Sequence, residues 1–375
     1  MPINQTVLCN KYRPKKLHKV SQPHVVKVLS KQIEKKQHPS TYLFEGPPGT
    51  GKTTIARIVC AAMSCHNLDD NFEPCGECSA CISIFEDRFR ELNEVNCATN
   101  GGVDDVRSMI SEKMYIMPSQ GNKRFFILDE AHMLTTSAQN ALLKIMEEPP
   151  DYVVFFLCSS EAHKIVPAIR SRAQIHKLRR LSDKSSKEIL EFVVKQEQLS
   201  TESSALDLIV QAAGGSGRDA LVLLEQVSLV GVTEENVRDV LGRGPKSQAI
   251  DFLTSIHSTN RGECQRILDA ALMEGRDLLS LIEEAERALM QMARYKLQGI
   301  PSAKQDPLLQ ELTPQWSGPH LVEVTTSLIE INKLIRQNVP ADLACQVGIL
   351  KVIDRLSALK NATAQKKAEQ ELAKV

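Results

Sequence analysis

Short apolar runs alternate with segments of three-and-four periodicity through the first 180 residues, as expected of βα units. Residues 41–45, Thr-Tyr-Leu-Phe-Glu, predict a strand, followed by a Gly-rich loop and a helix over 52–63. Residues 91–96 predict a second strand, and a helix begins near Val103. Residues 124–129 form an apolar run that ends in acid, and 153–158 form another. Neither alternates with polar residues, so both are expected to be buried on both faces of a parallel sheet. A helix over 137–147 stops at Pro149-Pro150, and 173–178 predict a fifth strand.

The pattern changes after residue 181. Helical periodicity runs over 183–241, broken by Gly214-Gly215-Ser216-Gly217, and Gly242-Arg243-Gly244-Pro245 punctuates the chain again. Longer helices are predicted over 247–258, 262–273, 277–297, 320–336 and 342–359, with a connection of little pattern at 301–319. Residues 361–375 are rich in Ala, Lys and Glu, with few large apolar side chains, and predict a frayed tail.

Composition narrows the class. Hydrophobic residues are 42% and charged residues 25%, as in a globular protein. Lys+Arg and Asp+Glu are both 46, so any contact with nucleic acid must use a local basic surface. No apolar run approaches the ~20 residues of a membrane span. The first residues lack the charged and apolar regions of a signal peptide, and the expected location is cytoplasmic.

Gly46-Pro47-Pro48-Gly49-Thr50-Gly51-Lys52-Thr53 fits the phosphate-binding loop at every required position, with Thr54 next. Glycines let backbone N–H groups wrap a phosphate, and the following helix points its positive end at the anion. Lys52 is expected to reach the β- and γ-phosphates of ATP, and the Thr53 hydroxyl to ligand Mg²⁺. Asp129 and Glu130, at the end of the apolar strand, suit the metal shell and the activation of water respectively. Asp129-Glu130-Ala131-His132 also spells a helicase box, without the other helicase features.

Four of ten cysteines crowd together: Cys65, Cys75, Cys78 and Cys81. Their spacing lets four thiolates converge on one tetrahedral Zn²⁺ with no open position, a structural ion. The other six are expected to be packing residues.

These motifs, with Lys11-Tyr12-Arg13-Pro14, residues 140–150 (Asn-Ala-Leu-Leu-Lys-Ile-Met-Glu-Glu-Pro-Pro), Ser171-Arg172 and 217–221 (Gly-Arg-Asp-Ala-Leu), resemble the gamma/tau family of bacterial DNA polymerase III clamp-loader subunits. The likeness runs from about residue 5 to about residue 357. It implies an α/β AAA+ domain (1–180) with a parallel five-stranded sheet and a zinc-binding insert at 65–81. A helical lid (181–243) and an all-α collar for oligomerisation (244–360) would follow, then the tail (361–375). It implies an ATP-driven motor in a hetero-pentamer with other clamp-loader subunits, which opens a sliding clamp and loads it on primer-template DNA. By position, Ser160 would sense the γ-phosphate within the subunit and Arg172 would be the arginine finger to a neighbour's ATP. Arg218, on the lid, would be the second sensor, and 101–107 would meet DNA phosphate.

The chain departs from the family pattern at three places. Ala173 replaces the usual Cys, Ser160 is shorter than the usual Thr or Asn, and 17–22 is one residue short with Ser21 where Gly is usual. A non-hydrolysing scaffold subunit, a branch-migration ATPase and a Zn-dependent DNA-binding module are the competing readings. Intact Lys52, Thr53, Asp129 and Glu130 argue against the first, and the cysteine insert and long helical third domain do not suit the second. The phosphate loop argues against the last. The length matches a gamma product or a truncated tau.

Overall fold

A computed structural model describes residues 7–119, 122–242, 246–298, 309 and 312–372. The chain forms two compact units, Met1–Thr233 and Glu234–Val375.

The first unit is built on five parallel strands: β1 (Thr41–Glu45), β2 (Leu92–Asn96), β3 (Arg124–Asp129), β4 (Val153–Ser159) and β5 (Gln174–Lys177). Their spatial order is β2-β3-β4-β1-β5. Each predicted strand is present, with ends within one residue. Side chains alternate between faces, as the pleat requires. Tyr42, Phe44, Phe125, Ile127 and Phe156 pack on one face against Ile55, Ile58 and Val59 of the helix Lys52–Ser64. Leu43, Phe126, Leu128, Phe155 and Leu157 pack on the other, against Ala138 and Leu142 of the helix Thr136–Glu147. Tyr42 stacks on Phe156 at 4.9 Å between centroids. Burying each such ring contributes roughly 2–3 kcal/mol, so the central strands are anchored on both sides.

The helices Asp183–Gln196, Ser203–Ala213 and Gly217–Ser228 complete this unit. Ser182 and Ser216 cap the first and last, accepting from the N–H groups of Ser185 and Asp219. The broken stretch 214–217 is thus a helix end and a helix start: left-handed Gly214 closes one helix and Gly217 opens the next.

His176 on β5 is buried, and its Nε2 has no hydrogen-bond partner. Burial, with the nearby His24 charge, pushes its pKa down to about 4. The unfolded chain therefore takes up this proton first, and the contribution of His176 to stability is full above pH ~6.5. It is lost as pH falls from there towards 4. The melting temperature is expected to drop across that window, and less so for His176→Phe. An equal drop in both proteins would exclude His176 as the cause.

The second unit is helical, with Glu234–Val240, Lys246–His257, Arg261–Met273, Leu278–Gln298, Gly318–Arg336 and Ala341–Leu372. Its core joins Phe252, Ile282, Leu289, Trp316, Leu328 and Val352.

Three features of this unit differ from the sequence reading. The boundary expected at 243 lies earlier, because the helix Glu234–Val240 belongs to the second unit. Its buried Arg238 pairs with Glu284 at 3.0 Å, a contact between residues 46 positions apart. The connection expected at 301–319 contributes Leu309, Leu312 and Trp316 to the core, with Trp316 stacked on His257 at 5.0 Å. The backbone of 361–372 continues the last helix where a frayed tail was expected. Ala, Lys and Glu are strong helix formers, so a chain already in a helix keeps propagating through them. Of the Gly242–Pro245 punctuation, 243–245 lie outside the described residues.

Candidate functional site

The phosphate loop follows β1 at the carboxyl end of the parallel sheet, where open α/β sheets bind ligands. Gly49 has φ +72°, and a Cβ there would come within 1.9 Å of Ser216 Oγ. The neighbouring Gly217 N–H donates to the Gly49 carbonyl at 3.2 Å. The lid therefore rests directly on the loop, and residue 49 must be glycine for it to do so. A Cβ on Gly46 would likewise meet the Leu178 carbonyl at 2.6 Å.

Lys52 is buried, and its Nζ donates to the Gly46 and Pro47 carbonyls at 3.0 and 3.2 Å. A Glu130 oxygen stands 3.9 Å away. Such a buried cation, held by two carbonyls with one carboxylate at the edge of ion-pair range, suits an anionic ligand in the loop. Thr53 Oγ1 donates to Asp129 Oδ2 at 3.1 Å, across 76 residues. Two hard oxygens side by side suit Mg²⁺, which keeps several waters. Thr50 closes the loop by donating to the Pro47 carbonyl, and Thr54 accepts from Arg13 Nε at 3.0 Å.

Glu130 sits in the left-handed region at φ +49°. Its Oε2 accepts from the Ser160 hydroxyl at 2.9 Å and from the Ser160 N–H at 3.3 Å. His132 Nδ1 is 3.3 Å from the same oxygen. Ser160 follows β4, the strand that pairs with β1, so it shares the loop's end of the sheet.

Arg172 occupies the opposite end of the strands. It ends the helix Pro167–Arg172 just before β5 and pairs with Glu147 at 3.2 Å. β5 runs parallel to β1, with Lys177 opposite Glu45. Arg172 thus precedes the loop's level by roughly five residues, on the order of 17 Å of extended chain. That places its guanidinium at the wrong end of the sheet for its own phosphate loop. Arg218 is exposed one residue past Gly217, beside the contact with Gly49. In 101–107, the Asp105 carboxylate accepts from the Gly102 N–H at 2.9 Å, so an acid already occupies that donor.

The sulfurs of Cys65, Cys75, Cys78 and Cys81 lie within 4.8 Å of one another, with Cys75 and Cys81 3.9 Å apart. A tetrahedral zinc site with Zn–S of ~2.3 Å has sulfur–sulfur edges of ~3.8 Å. Backbone N–H groups of Cys75, Cys78 and Cys81 point at the sulfurs of Cys65, Cys75 and Cys78 at 3.4, 3.3 and 3.5 Å. Burial pushes the Cys78 thiol up, but the N–H groups of His66 and Cys81 and the neighbouring thiols outweigh it, leaving the pKa at about 6. A thiol so poised is a ready thiolate ligand. Of the other cysteines, Cys60, Cys97, Cys158, Cys264 and Cys345 are buried, whereas Cys9 is only half-buried.

Residues 187–231 match the family model described as the DNA polymerase III clamp loader subunit, ATPase lid domain, and 21–182 match that of the DNA polymerase III delta subunit. The chain is 33% identical over 350 residues to DNA polymerase III subunit tau of Bacillus subtilis, covering 91% of this chain and 62% of that protein. The chain is thus similar to gamma/tau clamp-loader subunits over most of its length. The Escherichia coli K12 tau subunit is 32% identical over 78% of this chain and 46% of its own length. The Mycobacterium tuberculosis H37Rv gamma/tau subunit is 37% identical over 61% of this chain and 40% of its own. The chain thus spans about half the length of these curated relatives. Among solved structures, a Thermotoga maritima RuvB branch-migration motor aligns over 65% of this chain and 79% of its own at 20% identity, with a TM-score of 0.45.

Sequence reasoning assigned no site role to Arg13, His132 or Ser216. Arg13 belongs to a family motif, and His132 to the run after Asp129, which were the available signals. Ser216 has no local signal, because its contact with Gly49 exists only once the lid packs.

Proposed function

We propose that this chain is an ATP-hydrolysing motor subunit of a DNA polymerase III clamp loader, which opens a sliding clamp and loads it on primer-template DNA. The observation that carries the reading is the placement of Arg172 at the end of the sheet opposite the phosphate loop. One subunit then holds most of a site at one end and offers an arginine to a neighbour at the other, as a ring or spiral of subunits requires.

Within the subunit, the N–H groups of 46–53 and Lys52 would hold the phosphates, while Thr53 and Asp129 would hold Mg²⁺, which screens phosphate charge when bound. Glu130 is the group that can accept a proton from the attacking water. Ser160 orients Glu130 and can exchange it for a γ-phosphate oxygen. Arg218 enters from the lid, and Arg172 of a neighbour stabilises charge as it develops. Cys65, Cys75, Cys78 and Cys81 would hold a structural Zn²⁺. A scaffold that binds without hydrolysing has no need of Glu130 poised by Ser160 and His132.

Among the described residues, no helix is long and apolar enough to cross a membrane. A role in replication places the protein in the cytoplasm, in a hetero-pentamer with other loader subunits. Turnover by the assembled complex is expected to rise when clamp and primed DNA are added together. Arg172→Ala should lower turnover at the adjacent subunit's site by about 10²-fold or more, with nucleotide binding retained. A defect confined to the mutated subunit's own site would overturn the assignment.

A further inference from the structure

The cysteine insert does more than gather four sulfurs. Glu73, two residues before Cys75, is buried, and its two oxygens accept from the N–H groups of Leu17 and His18 at 2.7 and 2.9 Å. These N–H groups open the short helix Leu17–Lys19, where backbone donors have no partner within the helix. Asp69, in the same insert, pairs with Lys16 at 2.8 Å and accepts from the Glu73 N–H at 3.0 Å. The insert therefore grips 16–18 through two carboxylates.

The gripped segment leads to the phosphate loop. Gln22 is buried, donating from Nε2 to the Arg179 carbonyl at 2.6 Å and accepting from the Arg179 N–H at 3.1 Å. The adjacent Leu178 carbonyl is the one that a Cβ on Gly46 would strike. Two residues past Arg179, the Leu181 N–H donates to the Gly215 carbonyl, next to the Ser216 that rests on Gly49. Segment 17–22 thus splints the cysteine module to the strand end that roofs the loop and carries the lid.

We propose that Glu73 is a positioning residue through which the four-cysteine module holds segment 17–22 in place, so that the module sets how tightly the phosphate loop binds a nucleoside triphosphate. The inference rests on the nucleotide reading of that loop. The sulfurs of Cys65 and Cys75 close the loop that carries Asp69 and Glu73, and a metal there removes the freedom of that loop to move away.

The test uses the full chain with a fluorescent ATP analogue. Glu73→Gln keeps the shape but presents an amide N–H to one of the two donors. It is expected to weaken analogue binding about tenfold, with faster hydrogen exchange at the Leu17 and His18 amides and metal content unchanged. In the assembled loader, KM for ATP should rise while kcat stays within about twofold. Chelating the metal from the wild-type chain should weaken binding similarly. Wild-type binding and exchange in Glu73→Gln would overturn the inference alone. A wild-type chain that binds no analogue would overturn the nucleotide reading beneath it.

Discussion

Lys52→Ala is expected to abolish ATP-dependent clamp loading and to lower ATP turnover by at least ~10²-fold. The side chain is buried, and its Nζ lies against the Gly46 and Pro47 carbonyls, inside the turn that would hold the phosphates. Alanine removes the main counter-charge there without altering the backbone that the helix Lys52–Ser64 presents. Burial makes that charge worth more than an exposed lysine, because the site's effective dielectric is low. The fold should survive, since Lys52 is not part of the apolar cores on either face of the sheet. Measuring turnover and loading side by side checks the point. Normal loading by Lys52→Ala would sink the motor assignment.

Cys78→Ser is expected to reduce bound zinc from about one per chain to a small fraction of that, and to open 65–81 to proteolysis. Metal binding to four thiolates is worth on the order of 10 kcal/mol in isolated zinc modules, and a serine hydroxyl is a poor replacement for a thiolate. The sheet should remain folded, because its aromatic core and the helix Lys52–Ser64 pack through ring and aliphatic contacts of their own. Elemental analysis of wild type and variant gives the direct answer. Finding no zinc in the wild-type chain would refute the site.

The strands were legible because each is a short run bounded by turn or helix signals, and the pattern of βα units needs no partner to be read. The phosphate loop and the acidic pair after β3 were legible for another reason: their chemistry demands fixed residue types at fixed spacing. The cysteine spacing was legible in the same way, and the sulfurs do converge. Residues 301–319 hid a contribution to the core, because Pro307, Pro314 and Pro319 mask the three-and-four spacing of Leu309, Leu312 and Trp316. Gly and Pro near 243 mark a turn in the chain, while the Arg238–Glu284 pair ties the helix Glu234–Val240 to the second compact unit.

By itself, the sequence determined the alternation of strands and helices, the Gly-rich turn after β1, the acidic pair that ends β3 and the spacing of the thiols. All of these depend on neighbours within a few residues, where spacing fixes geometry. Only the tertiary structure decided that Arg172 faces away from its own loop, that Ser216 seats the lid on Gly49, and that Glu73 ties the cysteine module to Leu17. Each depends on strand order or joins residues far apart in the chain, and such pairings are chosen by the packing of whole elements.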